Sequence, residues 1–298
     1  MFEFQEAFPT DQACFEYLCI VKWPDGFVCM KCGHNAYWKM KPYMVRCKKC
    51  RYKISVTAGT VFQDLHIPLT LIFQAMWYVV CQKQGVSALA LQQILGVGSY
   101  ETTWSWLHKL RTAMVRPGRD RLSGIVEVDE TLVGGTHSGK RGRGAEGKEL
   151  VLVAVEDQGR KGMGRIRLKH IPDAAGITLE KAVAELVEPG STIRTDGWRG
   201  YSKLSEKGYT HIVTVHDEEE PGEDPTPLVD RIASLLKRWL LGTHQGGQQF
   251  SHLHYYLDEY TFRFNRRKSK SRGLLFLRLM QQALQVEPAP LSTLKVIS

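Results

Sequence analysis

Apolar positions recur at helical spacing over residues 69–83, 88–95 and 100–114, and they predict three helices. Gly96-Val97-Gly98 separates the second from the third, and Ser99 stands where an N-cap is needed. A short helix, a glycine-bearing turn and a further helix form a helix-turn-helix layout, whose last helix suits a major groove. Trp104, Trp106 and Leu107 fit a groove-facing helix and an inward core face equally well.

Further along, β-branched runs over 125–133, 150–156 and 165–171 predict strands. A helical pattern over 178–186, short strands over 191–196 and 211–215, and an amphipathic helix over 230–241 stopped by Gly242 complete the series. This order predicts an α/β domain, a mixed sheet with helices on its faces. The Gly- and Arg-rich stretch 134–148 reads as a mobile loop carrying Lys140, Arg141 and Arg143 toward a DNA backbone. Six acids in residues 217–224, with prolines around them, read as a solvated linker.

Composition sharpens this outline. The 298 residues suffice for one sizeable core plus small modules. A net charge of +9 and a pI near 9.2 suit a polyanionic partner. Between Lys31 and Lys53 there are eight basic residues and no acid, including Lys39, Lys41, Arg46, Lys48, Lys49 and Arg51, with Tyr37, Trp38, Tyr43 and Tyr52 among them. Interleaved cations and aromatic rings favour nucleic acid. A second basic cluster includes Arg263, Arg266 and Arg267. The N-terminus lacks the pattern of a secretion signal, and the most apolar stretch, 67–80, is too short to span a bilayer, so a cytoplasmic protein without membrane contact is expected.

Cys29-Met-Lys-Cys32 and Cys47-Lys-Lys-Cys50 are two C-x₂-C knuckles with fourteen residues between them. Four thiolates at this spacing close one tetrahedral, structural Zn²⁺ site, which can fold a ribbon too small to hold itself by its own core. Cys14, Cys19 and Cys81 fall outside the pattern and are expected in cores.

Candidate chemistry rests on acids. Asp129 and Asp196 each close a short apolar run and are read as lying at strand ends, while Asp230 opens the 230–241 helix. Lys237 lies seven residues after Asp230, about two turns at roughly 3.6 residues per turn, on the same face. Three carboxylates suit a pair of hard cations, Mg²⁺ or Mn²⁺, which activate a water or a 3′-hydroxyl and stabilise the leaving oxygen of an in-line displacement. Glu130, Glu259, His244, His252 and His254 are weaker candidates, and Glu259 is placed to pair with Arg263 one turn on. There is no G-x-S-x-G element, Walker loop or dinucleotide fingerprint to support acyl transfer, ATP hydrolysis or hydride chemistry.

Residues 234–246, Ser-Leu-Leu-Lys-Arg-Trp-Leu-Leu-Gly-Thr-His-Gln-Gly, followed by 256–267, Tyr-Leu-Asp-Glu-Tyr-Thr-Phe-Arg-Phe-Asn-Arg-Arg, resemble the end of a bacterial insertion-sequence transposase domain. The family is the zinc-ribbon, DDE-type group related to the eukaryotic Merlin elements. Val128-Asp129-Glu130-Thr131 with Gly134-Gly135 is similar to its first catalytic motif, and Thr195-Asp196-Gly197 with Tyr201 to its second. At the third catalytic place, where the family usually carries His, Asn or Glu, this chain has Asp230.

The resemblance implies a zinc ribbon over 1–60, a helix-turn-helix-like DNA-binding module over 61–120, a ribonuclease-H-like catalytic domain over 121–285 and a tail over 286–298. It implies catalysis by Asp129, Asp196, Asp230 and Lys237, with the three acids holding two Mg²⁺ or Mn²⁺ ions. Lys39, Lys41, Arg46, Lys48, Lys49, Arg51, Lys53, Lys109, Arg111, Lys140, Arg141, Arg143, Arg238, Arg263, Arg266 and Arg267 are the expected contacts to double-stranded DNA, both terminal inverted repeats and target. Cutting two ends in one event requires at least a homodimer on DNA. The expected setting is the bacterial cytoplasm, at the nucleoid. Two other readings stay open, a catalytically silent DNA-binding regulator and a structure-selective nuclease of the same fold.

Overall fold

Two helices that the cysteine spacing conceals, α1 (Phe2–Ala7) and α2 (Asp11–Lys22), open the chain. The computed structural model describes residues 2–40, 42–64, 67–116, 118–134, 147–214, 226–244, 250–290 and 294. They fall into two compact units: one takes in the chain up to residue 117 and again from 269, the other runs over 118–268.

In the first unit, the Thr10 hydroxyl caps α2 by accepting from the Ala13 amide, which fixes where that helix starts. Its apolar face buries Cys14, Phe15, Leu18 and Cys19. The ribbon follows as three short antiparallel strands, β1 (Tyr37–Met40), β2 (Met44–Cys47) and β3 (Lys53–Ser55), in that order across the sheet. Then come α3 (Leu69–Cys81), α4 (Ala88–Leu95) and α5 (Tyr100–Ala113). Gly96 ends α4 at φ 65°, a left-handed conformation that costs glycine little, and Ser99 caps α5 through the Thr102 amide. The helix-turn-helix-like layout is therefore present. Cys81 is half-buried at the end of α3, less enclosed than a core position.

The second unit is built on a five-stranded mixed sheet. Its strands are β4 (Ile125–Gly134), β5 (Lys148–Asp157), β6 (Met163–Ile171), β7 (Thr192–Thr195) and β8 (Thr210–Val213), with α6 (Gly176–Leu186) between β6 and β7. The spatial order is β6-β5-β4-β7-β8: β4, β5 and β6 pair antiparallel, and β7 and β8 continue the sheet in parallel with β4. After β8 come α7 (Pro227–His244) and α8 (Leu253–Asn265). This is the ribonuclease-H-like core.

Alternation along the strands divides the core between the two faces. Val126, Val128, Leu152, Ala154 and Ile193 pack with Leu179, Ala182, Val183 and Leu186 of α6. Val151, Val153, Val155, Ile166 and Leu168 pack on the other face with Ile232, Leu236 and Trp239 of α7 and Leu253, Leu257 and Tyr260 of α8. Because β5 is covered on both faces, its sequence is continuously apolar from Leu150 to Val155.

Several boundaries differ from the sequence reading. Gly134 and Lys148 are paired strand ends, not loop residues. Asp129 lies inside β4, which continues to Gly134; what stops near it is the parallel pairing to β7. α7 begins at Pro227 and runs through Gly242 to His244, since a helical glycine with open space around it costs only about 1 kcal/mol against the burial of Trp239 and Leu240 before it. The acid run 217–224 lies outside the described residues.

The last helix, α9 (Arg272–Ala283), falls in the stretch expected to belong to the catalytic domain, yet it packs with α2, α3 and α5 in the first unit. Phe276 explains why. Its ring sits 5.4 Å from Phe4, 5.5 Å from Phe73 and 6.1 Å from Tyr17 and Trp77, filling an aromatic cluster that α1, α2 and α3 leave open.

Candidate functional site

β4 and β7 bring the first two acids together. Their parallel register pairs Val126 with Ile193 and Glu127 with Arg194, where the ladder ends; Asp129 and Asp196 each follow two residues later, near enough for the Asp196 charge to act on Asp129. Residues two apart on a strand share a face, so Glu127 and Asp129 both point to the side that α7 covers. The Asp196 carboxylate accepts the Trp198 amide at 2.9 Å, an Asx turn closed by Gly197 at φ 85°. Gly200 follows where a Cβ would meet Leu179 Cδ1 at 2.6 Å, so the turn sits tightly on α6.

The half-buried Asp129 carboxyl is pushed up to about 7, first by burial and further by the negative charges of Asp196, Glu130 and Asp230, against the lowering effect of the Glu130 amide. That amide donates to Oδ1 at 2.7 Å, and the Thr226 hydroxyl donates to Oδ2 at 3.3 Å. The three acids thus share one electrostatic neighbourhood. Among the described residues, however, only the ribbon cysteines form a group of three or more whose ligand atoms all fall within 4.8 Å, so the carboxylates are less tightly gathered than the thiols.

Asp230 and Lys237 are exposed on α7, and Lys237 responds to the Asp230 charge, as two turns of separation require. Burial lowers the Lys237 pKa, Asp230 opposes that, and Lys148 adds to it. On the opposite face of β4, Glu130 accepts the Tyr201 hydroxyl at 2.6 Å; burial and the Glu130 charge raise that phenol well above its ordinary value. Glu130 is therefore tied to the α6 side and turned from α7.

Oxygen donors that repel one another in a partly dry setting fit a divalent cation, whose charge would relieve the repulsion. The ribbon fits a softer metal. Cys29 and Cys50 sulfurs stand 3.6 Å apart, as do those of Cys32 and Cys47. Four thiolates about 2.3 Å from a tetrahedral Zn²⁺ would be separated by about 3.8 Å. Burial raises the Cys47 thiol, but N–H donation from Cys50 and Lys49 and the neighbouring thiols outweigh it and lower its pKa, while the same neighbours raise that of Cys50, as expected of thiols crowded round one centre.

Residues 121–265 match the ISXO2-like transposase domain, and residues 9–53 match the transposase zinc-ribbon domain. The two matches together span more than half of the chain, in the order ribbon then DDE domain. The chain belongs to the insertion-sequence transposases. No curated protein matches it.

As a zinc-ribbon transposase the protein binds DNA, and its cations are unevenly available. Across the ribbon sheet the register lines up Trp38, Arg46 and Lys53 on one face. Trp38 is 46% exposed and Lys53 is exposed, with Arg46 half-buried between them. Lys48, Lys49 and Arg51 are exposed around the second knuckle. Lys39 is on the other face, paired with Glu16 at 2.8 Å.

Lys109 and Arg111 are corrections. They are 9% and 2% exposed, because most of α5 is buried within its own unit, and Trp106 and Leu107 are core residues as well. Arg238 is exposed on α7. Arg263 is held by Glu259 at 2.6 Å, Arg266 lies 4.0 Å over the Phe262 ring, and Arg267 lies 3.9 Å over Phe264 while donating to the Met163 and Gly164 carbonyls. Arg267 thus ties the end of α8 to β6, while Arg263 and Arg266 lie against α8 itself. Lys41, Lys140, Arg141 and Arg143 lie outside the described residues. His252 is buried and His244 packs against Trp239 and Tyr256, whereas His254 is exposed.

Among the described residues, no helix of the transposase is long and apolar enough to cross a membrane. Sequence reasoning missed Glu127 and Thr226 as parts of the site. Thr226 did carry a signal, a threonine before a proline at the start of a helix, which is an N-cap followed by N1. Glu127 carried none beyond being a charge inside an apolar strand.

Proposed function

We propose that this transposase cleaves DNA at the terminal inverted repeats of its own insertion sequence and joins the freed 3′-hydroxyls to target DNA. The observation that supports this reading is that Asp129 on β4, Asp196 just after β7 and Asp230 on α7 lie near enough for the Asp196 and Asp230 charges to add to the burial that pushes Asp129 up to about 7. These acids would hold Mg²⁺ or Mn²⁺, with Asp230 completing the shell. Bound there, the ions supply Lewis-acid activation of the attacking oxygen and stabilisation of the leaving one.

The chain's own groups do the rest. Asp129 must give up its proton to serve as a ligand, and the Thr226 hydroxyl on Oδ2 orients it. Lys237, on the Asp230 stripe, holds a phosphate near the scissile bond. In the first reaction a water oxygen attacks phosphorus and the P–O3′ bond breaks, leaving a 3′-hydroxyl and a 5′-phosphate. In the second, that hydroxyl attacks a target phosphodiester, so one P–O bond forms as one breaks. The bond count is conserved, and no nucleotide energy source is needed. The ribbon face of Trp38, Arg46 and Lys53 and the helical module recognise the ends, and at least two copies act together so that both ends are held at once. The setting is the bacterial nucleoid.

The test uses purified full-length protein with Mn²⁺ and DNA bearing the element's ends. Nicking at the ends and strand-transfer products on a plasmid are expected, and Asp129→Ala or Asp196→Ala should abolish both while end binding persists. Binding without nicking would leave a regulator; nicking without joining would leave a nuclease.

A further inference from the structure

The N-terminus of α7 leaves amides without intrahelical partners, and such groups are normally met by the side chain at the cap position. Thr226 holds that position: its carbonyl accepts the Asp230 amide at 3.0 Å, and Pro227 follows as the first helical residue. Yet its hydroxyl donates to Asp129 Oδ2 at 3.3 Å, across to β4. β4 contributes to the capping in return. Oε1 of Glu127 accepts the Val229 amide at 2.7 Å, and the Leu228 amide also donates to this carboxylate.

Both residues are closed off from solvent, Glu127 at 0% and Thr226 at 2% exposure. A carboxylate so buried is costly unless strong donors meet it; two amides at the positive end of a helix are such donors, while Oε2 has no hydrogen-bond partner of its own among the described residues. The hydrogen bonds cross at the residues that matter. Glu127 lies two positions before Asp129 on the same strand face, and Val229 immediately precedes Asp230.

We propose that Glu127 and Thr226 are positioning residues, a crossed pair of caps that sets the spacing between Asp129 on β4 and Asp230 on α7. This rests on the reading of those two acids as ligands of one metal site. Losing either hydrogen bond frees α7 to shift against β4, and a displacement of about 1 Å is enough to spoil a ligand set.

The test titrates Mn²⁺ into zinc-loaded, full-length protein and reads the half-saturation point from the rise in melting temperature, with end nicking measured in parallel. Glu127→Ala and Thr226→Val should raise the half-saturation concentration about 10-fold. Glu127→Gln, which keeps an oxygen for the Val229 amide, and Thr226→Ser, which keeps the hydroxyl, should stay near wild type. Leu186→Ala, on the opposite face of the sheet at the end of α6 away from the Asp196 turn, separates positioning from general loosening: it should lower the melting temperature without moving the Mn²⁺ midpoint. A wild-type midpoint in Glu127→Ala, or an equal displacement in Leu186→Ala, overturns the proposal. Should Glu127→Ala fail to fold, equal midpoints for Thr226→Val and Thr226→Ser overturn it. If wild type and Asp129→Asn respond identically to Mn²⁺, the metal-site reading itself falls and takes this proposal with it.

Discussion

Glu127 pairs with Arg194 across β4 and β7 at the end of the ladder, and Asp129 and Asp196 each follow two residues later. Strand pairing thus forces two like charges together where the parallel ladder ends, the place where α/β sheets open a crevice for ligands. Burial first, and then the charges of Asp196, Glu130 and Asp230, push the Asp129 carboxyl up to about 7.

That gives a stability test with a definite sign. Asp129 has a folded pKa of about 7 above its ordinary 3.8, so its stabilising contribution is complete below 3.8 and is lost as pH rises through about 7. In buffer free of Mg²⁺ and Mn²⁺, Asp129→Asn should therefore melt higher than wild type at pH 8. The gain should shrink toward pH 5, at about 2–4 °C for each kcal/mol. Scanning calorimetry at both pH values checks it; an unchanged or reversed difference would sink the burial argument. In the wild type, end nicking should rise with pH toward about 7 as Mn²⁺ competes with one fewer proton.

Asp230 and Lys237 sit exposed on one stripe of α7, so removing either should spare folding. Asp230→Ala and Lys237→Ala are expected to slow single-turnover nicking by about 10²-fold or more while end binding stays close to wild type. Asp230→Glu should keep much of the rate. Equal losses of binding and rate in Asp230→Ala would mark it as structural.

The ribbon should carry one zinc per chain, measurable by metal analysis. Cys47→Ser is expected to lose the metal, unfold β1 to β3 and weaken end binding, because so small a sheet has little core of its own. Asp129→Asn should leave the zinc content unchanged.

Lys53 and Lys39 separate surface charge from committed charge. Lys53 lies free-facing beside Arg46 and Trp38, so Lys53→Ala should lower the salt dependence of DNA binding by about one unit of slope. Lys39 is paired with Glu16, and Lys39→Ala should change that slope less. Fluorescence anisotropy over a salt series distinguishes them, and identical slopes would remove the assigned DNA face.

Gly200→Ala should destabilise the second unit by about 1–3 kcal/mol, because the new methyl would enter Leu179 and Trp198. Thermal melts should show the loss even in metal-free protein. A neutral outcome would mean the turn after Asp196 is looser than described.

Much of this fold is legible along the chain wherever burial imposes a pattern. β5 reads as a strand because both of its faces are covered, and the cysteine pairs read as a metal site because thiol spacing has few other uses. What escapes is long-range. Nothing local says that Lys109 and Arg111 are buried, since a basic residue on an amphipathic helix looks alike facing water or a neighbouring helix. Glu127 reads as an ordinary polar break in a β-branched run, and its partners lie about a hundred residues away on α7. The candidate acids are visible as residue types that close or open apolar runs, although Asp129 proves to lie inside β4; the hydrogen bonds of Glu127 and Thr226 are not visible.

The return of α9 to the first unit has a bearing on biogenesis. Phe276 is made only after the entire sheet-bearing unit, yet it fills the aromatic cluster of Phe4, Phe73 and Trp77. While the polypeptide is still emerging from the ribosome, the nuclease-like half can close its interior first, and the half bearing the ribbon must wait for the final helix. A chain cut short after Lys268 would leave the ribbon-bearing half with a hole at its centre.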